Sequence, residues 1–415
     1  MADSKNDIKT PFFYIKKRLM KNYPAIIGLV FILLAHLVAM LGYLIIPDKT
    51  PNCNDGAWQI KKELPGFEVD LLKVKKSIDI DKVGFIEAMF LGQEHNYSII
   101  PIETYDIDGV IAKVHPHGHS EKVEEYNILD IVKGVFAGAS GRINHDSSAN
   151  YKIFGDSVLY LNKEQMMKTV HLKDLAEEFK DNNIEHRTFW LGTDKAGRDM
   201  LSRLLFGTRI SLGIGFVSVL ISLTLGVSLG ALAGFFGGKV DSFIMWLMTV
   251  VWSIPGIMLV IAISLALQSK GIWVAFVAVG LTTWVEIARV VRGQIISVKE
   301  KLYVEAARAL GIGNIRIITV HIMPNIVGPL IVIATSNFAS AILTEAGLSF
   351  LGLGVQPPMP SWGIMINEGY HSMGADDSWH LIFFPSLCIC LTVLAFNLFG
   401  NGLRDAYDPQ SKNKW

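Results

Sequence analysis

The sequence predicts an all-α polytopic membrane protein with about six transmembrane helices and an α+β segment inserted between the first two. Three observations carry this. Of 415 residues, 51% are hydrophobic and only 18% charged, against about a quarter charged in a soluble chain, and mean hydropathy is +0.37. The apolar residues are concentrated: 24–46 and 208–402 are dominated by long apolar runs, whereas 48–200 reads as ordinary polar sequence. Those runs are too long and continuous for alternating barrel strands, and helices are the other way to satisfy backbone groups inside lipid.

Taken in order, residues 1–23 form a basic N-terminal segment carrying Lys16, Lys17, Arg18 and Lys21. The apolar run 24–46 exceeds a signal-peptide core and ends Ile45-Ile46-Pro47-Asp48 with no small-residue cleavage site, so it reads as an uncleaved first span. Residues 47–190 form the insert, with strand-favouring runs at 97–100 and 158–161 and a helical stretch at 171–180. A core over 191–407 carries five further spans at 208–236, 240–268, 272–291, 317–345 and 379–402, and 408–415 is a short tail.

Lys and Arg in the short loops set direction. Segment 289–316 holds Arg289, Arg292, Lys299, Lys301, Arg308 and Arg316 and reads as cytoplasmic; 347–378 has no Lys or Arg and reads as outside. Six spans from a cytoplasmic N-terminus satisfy both and make the insert extracytoplasmic. Arg198, Arg203 and Arg209 oppose the rule, but they end a long translocated loop, where charge counts for little.

Ser218, Ser222, Gly226, Gly230 and Gly234 repeat every four residues and form one smooth helical stripe, the mark of a helix–helix seam. Pro255, near the middle of the third predicted span, is expected to bend it. Charges within the spans are scarce, with no buried carboxylate relay and no matching halves with broken helices, which argues against a self-powered secondary transporter. Formal net charge is zero and offers no argument for a nucleic-acid partner. The three cysteines suggest no disulfide framework, with Cys388 and Cys390 in an apolar run and Cys53 alone in the polar region.

Between the fourth and fifth spans, residues 301–310 favour helix, and Gly311 and Gly313 then allow a sharp turn. Ala306, Ala307 and Ala309 keep that helix slim enough to enter a groove on a partner; physics alone equally permits an interfacial helix lying on the membrane. Glu305-Ala306-Ala307, Gly311 four residues on, and Pro324 thirteen beyond that resemble the EAA signature of binding-protein-dependent ABC permeases. His321 and Met323, in place of Ile and Leu, point to the dipeptide/oligopeptide/nickel subfamily and its C-type peptide permease subunit. Leu191-Gly192-Thr193-Asp194 with Gly197-Arg198-Asp199 and Ser202-Arg203-Leu204 is similar to that subfamily's segment before the second span. Glu345 to Gly354, followed by Pro357, Pro358, Pro360, Ser361, Trp362 and Gly363, is similar to its last outer loop.

The resemblance covers 190–408 and implies the type I ABC importer permease fold, a non-catalytic subunit that forms the pore for di- or oligopeptides. It implies that the coupling helix 301–313 sits in a cleft of a cytoplasmic ATPase, with Glu305, Ala306, Ala307, Arg308, Leu310 and Gly311 as the coupling residues. The implied partners are a second homologous permease, two ABC ATPases that hold ATP and Mg, an extracytoplasmic solute-binding protein and membrane lipid. No cofactor is expected in this chain: its Gly238-Lys239 pair lacks the first glycine of a P-loop. Nickel complexes, peptide antibiotics or oligosaccharides are alternative cargoes, and a membrane-anchored sensor using residues 47–190 is the alternative of another class. The insert itself departs from the family, whose members have a far shorter link there. His115-Pro116-His117-Gly118-His119 reads as a solvated turn rather than a metal site, and Gly138-Ala139-Ser140-Gly141 lacks nucleophile-elbow spacing.

Overall fold

The computed structural model describes residues 11–76, 80–118, 121–133, 151–162, 166–268, 271–372 and 378–407. Its helices are α1 (Pro11–Leu19), α2 (Tyr23–Leu41), α3 (Phe85–Leu91), α4 (Ile128–Lys133), α5 (Leu172–Glu178), α6 (Met200–Phe236), α7 (Gly238–Trp252), α8 (Gly256–Ala266), α9 (Ile272–Lys299), α10 (Leu302–Ala309), α11 (Asn314–Arg316), α12 (Met323–Phe350), α13 (Trp362–Tyr370) and α14 (His380–Tyr407). The strands are β1 (Phe67–Lys75), β2 (Tyr97–Asp108), β3 (Ile111–Pro116), β4 (Glu124–Asn127), β5 (Tyr151–Phe154), β6 (Ser157–Leu161), β7 (Met167–His171) and β8 (Ile184–Phe189). The chain forms two compact units: Met1–Met40, Gly207–Asn367 and Phe383–Trp415 in one, Leu41–Phe206 and Glu368–Ile382 in the other.

Among the described residues, five stretches are long and apolar enough to cross a membrane: Tyr23–Leu44, Met200–Phe236, Ile272–Lys299, Asn314–Phe350 and His380–Tyr407. The third predicted span, 240–268, is two helices, α7 and α8, at 90° to one another, which make a sixth crossing if the bent pair counts as one. Pro255 accounts for the break. It has no N–H to give the preceding turn and disfavours helical geometry at Ile254, and its carbonyl instead accepts from Met258 and Leu259 to start α8. The bend expected from the sequence is therefore a full break.

The small-residue stripe of α6 faces α9. A Cβ at Gly226 would lie 2.6 Å from the Cβ of Ile287, one at Gly230 2.5 Å from the Ala288 carbonyl, and one at Gly234 2.9 Å from the Arg292 carbonyl. Further up, the Ser222 hydroxyl donates to the Gly280 carbonyl at 2.9 Å and that of Ser218 to Phe276 at 3.3 Å. Two polar ties lock the far end. Lys299 Nζ donates to the Gly234 and Phe235 carbonyls that end α6, and Arg292 grips Asp241 of α7 through two hydrogen bonds of 2.5 and 2.6 Å.

After α12, a hydroxyl–carboxyl network folds the loop back. Glu345 is fully buried, and its Oε1 accepts from Ser349 at 2.7 Å and Ser361 at 2.9 Å. Ser349 Oγ accepts the Val355 N–H, Ser361 Oγ accepts that of Ile364, and Ser211 of α6 accepts that of Trp362 at the start of α13.

The second unit is α+β. A five-stranded antiparallel sheet has order β4-β3-β2-β1-β8, and a second sheet has order β5-β6-β7. The alternation of β1 separates two cores. Val69 and Leu71 pack with Ala57, Ile60, Ile99 and Phe189; Leu72 points the other way, into a larger core with Ile102, Ile128, Leu129, Leu175 and Phe179. The expected strands at 97–100 and 158–161 and the helix at 171–180 fall within β2, β6 and α5 with the π turn after it.

The segment 191–206 is held by charge. Arg198 pairs with Asp194 at 2.7 Å and with Glu368 at 3.2 Å, while buried Arg203 reaches the same carboxylates at 3.1 and 3.3 Å. Two of the three arginines that oppose the positive-inside rule are thus neutralised in a buried cluster. Asp199 caps α6 by accepting from Ser202 N–H at 2.8 Å, and burial pushes its carboxyl above the usual range against that hydrogen bond. Cys53 is buried, its Sγ 3.6 Å from the Ser202 carbonyl it donates to, and burial pushes the thiol far up, which makes it unreactive.

Two predictions follow from these contacts. Gly230→Val forces a side chain into the α6–α9 seam and should cost about 1–3 kcal/mol, lowering the thermal midpoint of the detergent-solubilised protein. Gly213→Ala, on the same helix with nothing within 4 Å of the added Cβ, should leave the midpoint unchanged or raised, by up to about 1 kcal/mol. In the same assay Glu345→Leu strands two buried hydroxyls at about 1–3 kcal/mol each, while Glu345→Gln keeps an acceptor and most of the stability.

Candidate functional site

The α9–α12 connection is built as a short helix between two anchors. Helix α10 begins after Lys301, whose carbonyl accepts from Val304 and Glu305. It ends in a Schellman turn: Gly311 N–H donates to the Arg308 carbonyl at 2.9 Å and Ile312 N–H to that of Ala307 at 3.1 Å. This requires the left-handed φ of +75° that Gly311 adopts; Gly313 stays at −65° and makes no such demand. A π turn, Ile317–Ile322, then leads into α12.

One stripe of α10 is spent on this chain's own core. Val304 and Ala307, three residues apart, are buried among Phe235, Ile295, Ile317, Ile322 and Ile326, with Ile312 packed beside them. The opposite stripe, formed by Leu302, Glu305, Ala306, Ala309 and Leu310, is exposed. Leu302 is 83% exposed, Leu310 80%, and Ile315 beyond the turn 77%. Large apolar side chains left in the open at this density mark a contact surface.

The six residues proposed for coupling therefore divide. Glu305, Ala306, Leu310 and Gly311 are outward and available to a partner. Arg308 is exposed at the flank, its guanidinium 5.1 Å from the ring centre of Phe235 on α6. Ala307 is 4% exposed and packs inward, so its small side chain serves close docking on the chain's own helices. Sequence reasoning passed over Val304 as the inner anchor and Leu302 and Ile315 as outer contacts. The available signal was two apolar stripes on one short helix, one more than a single interface uses.

At the same end of the unit, the C-terminal half of α9, the N-terminal half of α12 and the end of α14 enclose a cleft of about 880 Å³. Val290, Gln294, Asn325, Ser336, Arg404 and Asp405 are among its lining, so its walls are mixed apolar and polar. Tyr407 closes against Gly328, where a Cβ would stand 2.5 Å from the ring.

In the second unit, His117 sits 3.9 Å from Glu63 and 3.7 Å from Glu103 and edge-on to Phe67. His119 and the 138–141 run lie outside the described residues. Among the described residues, no group of three or more His, Cys, Asp or Glu is placed to hold a metal ion.

Residues 226–413, which include α9, α10, α12 and α14, match the model of the family described as binding-protein-dependent transport system inner membrane component. A glutathione transport system permease protein of Pectobacterium atrosepticum is 46% identical over 224 residues, 54% of this chain and 73% of the relative. A di/tripeptide transport system permease protein of Pseudomonas aeruginosa is 44% identical over 58% of this chain and 81% of its own length. A dipeptide transport system permease protein of Bacillus subtilis is 42% identical over 57% and 73%. Among solved structures, a chain of the inward-facing methionine ABC transporter aligns with a TM-score of 0.43 at 20% identity, over 50% of this chain and 98% of that one. With relatives this similar matched over most of their length, this chain belongs to the family of binding-protein-dependent transport system inner membrane components.

Proposed function

We propose that this chain is the pore-forming permease subunit of an ATP-driven importer of dipeptides or oligopeptides, and that the outer stripe of α10 seats a cytoplasmic ATPase. The observation that carries the reading is the double-sided helix α10. Its inner stripe is packed into the core by Val304 and Ala307, and its outer stripe leaves Leu302 and Leu310 in the open. A helix so anchored passes a push on its outer face to α9 and α12 as a rigid-body movement. The peptide cargo is supported by the names of the relatives, which transport dipeptides, di- and tripeptides or glutathione.

In this arrangement the N-terminus and the basic 289–316 segment lie in the cytoplasm and the α+β unit outside, in a bacterial inner membrane. A second, homologous permease completes the pore, two ATPases carry ATP and Mg, and a solute-binding protein delivers cargo from outside. The cleft between α9, α12 and α14 is then the cytoplasmic mouth of this subunit's half of the path.

Two substitutions test the coupling surface in the reconstituted importer. Leu310→Glu places a charge in the partner groove, and a central contact of this kind is worth about 2 kcal/mol or more. It should weaken ATPase association by roughly 30-fold or more with the permease still inserted. Gly311→Asp has open space around its Cβ, so its cost is the left-handed backbone, about 1–2 kcal/mol, and the new charge. Dipeptide-stimulated ATP hydrolysis should be lost in both, and normal stimulation in either would remove the assignment. Uptake of a labelled dipeptide by the wild-type complex tests the cargo separately.

A further inference from the structure

Helix α3 leaves an apolar side largely exposed. Phe85 is 71% exposed, Ile86 73%, Leu91 64% and Phe90 46%. On a helical projection Ile86, Phe90, Glu87 and Leu91 share one side, while Ala88 and Met89 are half-buried toward the protein. The segment is firmly placed. Gln93 closes its two ends, accepting from Val83 N–H at 2.8 Å and donating to the Asp81 carbonyl at 3.2 Å. Gly92, at φ +82°, lies so close to residues 49–51 that a Cβ there would meet the Lys49 carbonyl at 2.8 Å, and Gln93 N–H donates to that same carbonyl.

Where α3 is held identifies what covers it. It packs against the 3-10 turn Gly42–Leu44, and those three residues are the last of the apolar span Tyr23–Leu44. The turn therefore marks the level at which the chain leaves the hydrocarbon. Leu44 of that turn and Ile45 after it are themselves exposed and apolar, so the exposed side of α3 adjoins the apolar residues with which the span ends. Glu87 lies on the same side in the first turn, where a carboxylate suits the positive end of the helix.

We propose that α3 is a membrane-interface anchor: Ile86, Phe90 and Leu91 insert into the bilayer surface beside the end of the first span, at the depth of about 5–10 Å usual for such helices. The anchor fixes the α+β unit against the membrane and lies wholly within residues 81–93, independent of the cargo and of the coupling surface.

The test uses the full-length chain with Cys388→Ala and Cys390→Ala, leaving Cys53 buried. Phe90→Cys, Ile86→Cys and, as control, Asp108→Cys on the exposed end of β2 are each labelled with an environment-sensitive fluorophore. The protein is reconstituted into phosphatidylethanolamine/phosphatidylglycerol vesicles carrying nitroxide-labelled phosphatidylcholine. Labels at 90 and 86 should shift to the blue and lose most of their emission to a nitroxide near the acyl carbonyl, less to one at the chain end, and little to aqueous iodide. The label at 108 should show the reverse. Iodide quenching at 90 and 86 equal to that at 108 would overturn the proposal. So would shielding from both quenchers, which would assign the surface to a protein. Should Phe90→Cys fail to fold, Ile86→Cys decides alone.

Discussion

Three glycines on α6 let its backbone lie against α9 with no α6 side chain between them, and much of the helical unit is referred to that contact. With a Cβ at Gly226, Gly230 or Gly234, α9 would have to move outward by a few tenths of an ångström or more. The same α9 carries Arg292, with its two-point grip on α7, and Lys299, which holds the end of α6, so the seam positions both ties. Residues that line the end of the seam, Phe235 and Ile295, are also the floor on which Val304 and Ala307 of α10 rest. Backbone proximity in the seam thus sets the position of the coupling loop. Close packing of small residues is the available device here, because lipid offers helices no hydrophobic drive to associate.

Much of this was legible in the sequence, for identifiable reasons. Hydropathy located the spans because each must present about twenty apolar residues to lipid, and the four-residue repeat of Ser218 to Gly234 named the seam because helical geometry leaves one face for it. The segment around Glu305 stood out through its glycines and alanines. What stayed hidden depends on partners distant in sequence. Pro255 announced a distortion, but whether α7 and α8 bend or separate depends on what the freed carbonyls find. Glu345, Ser349 and Ser361 belong to a recognisable motif, yet their shared hydrogen bonds emerge only when the loop closes. Glu368 carried no sign that it would meet Arg198 and Arg203, more than 160 residues earlier.

That ion cluster alters how the arginines should be weighed. The positive-inside rule counts charges that remain solvated beside the membrane. Arg198 and Arg203 share Asp194 and Glu368 in a site from which water is largely excluded, so the pair brings little net charge to its side of the bilayer. A buried group of this kind is weak evidence for stability, since desolvation offsets much of the attraction. Its geometric effect is firmer: through the carboxylates that Arg198 and Arg203 share, it joins the start of α6 to the end of α13.

The two faces of α10 bear on the two readings left open for residues 301–310, and support the one proposed above. A helix lying on the membrane turns one apolar stripe to lipid and a polar stripe to water. In α10 the stripe of Val304 and Ala307 is already occupied by protein, and the stripe opposite is not uniformly apolar: Glu305 stands among Leu302, Ala306 and Leu310, with Arg308 at its flank. Lipid would strand the carboxylate among leucines, whereas a protein groove can offer Glu305 a donor and the leucines an apolar wall at once. The exposed side of α3 is more nearly uniform: Phe85, Ile86, Phe90 and Leu91 surround a single carboxylate, Glu87. Glu87 and Glu305 both stand in a first turn near the end of a span, so the residues around the carboxylate, more than its position, tell the two exposed helices apart.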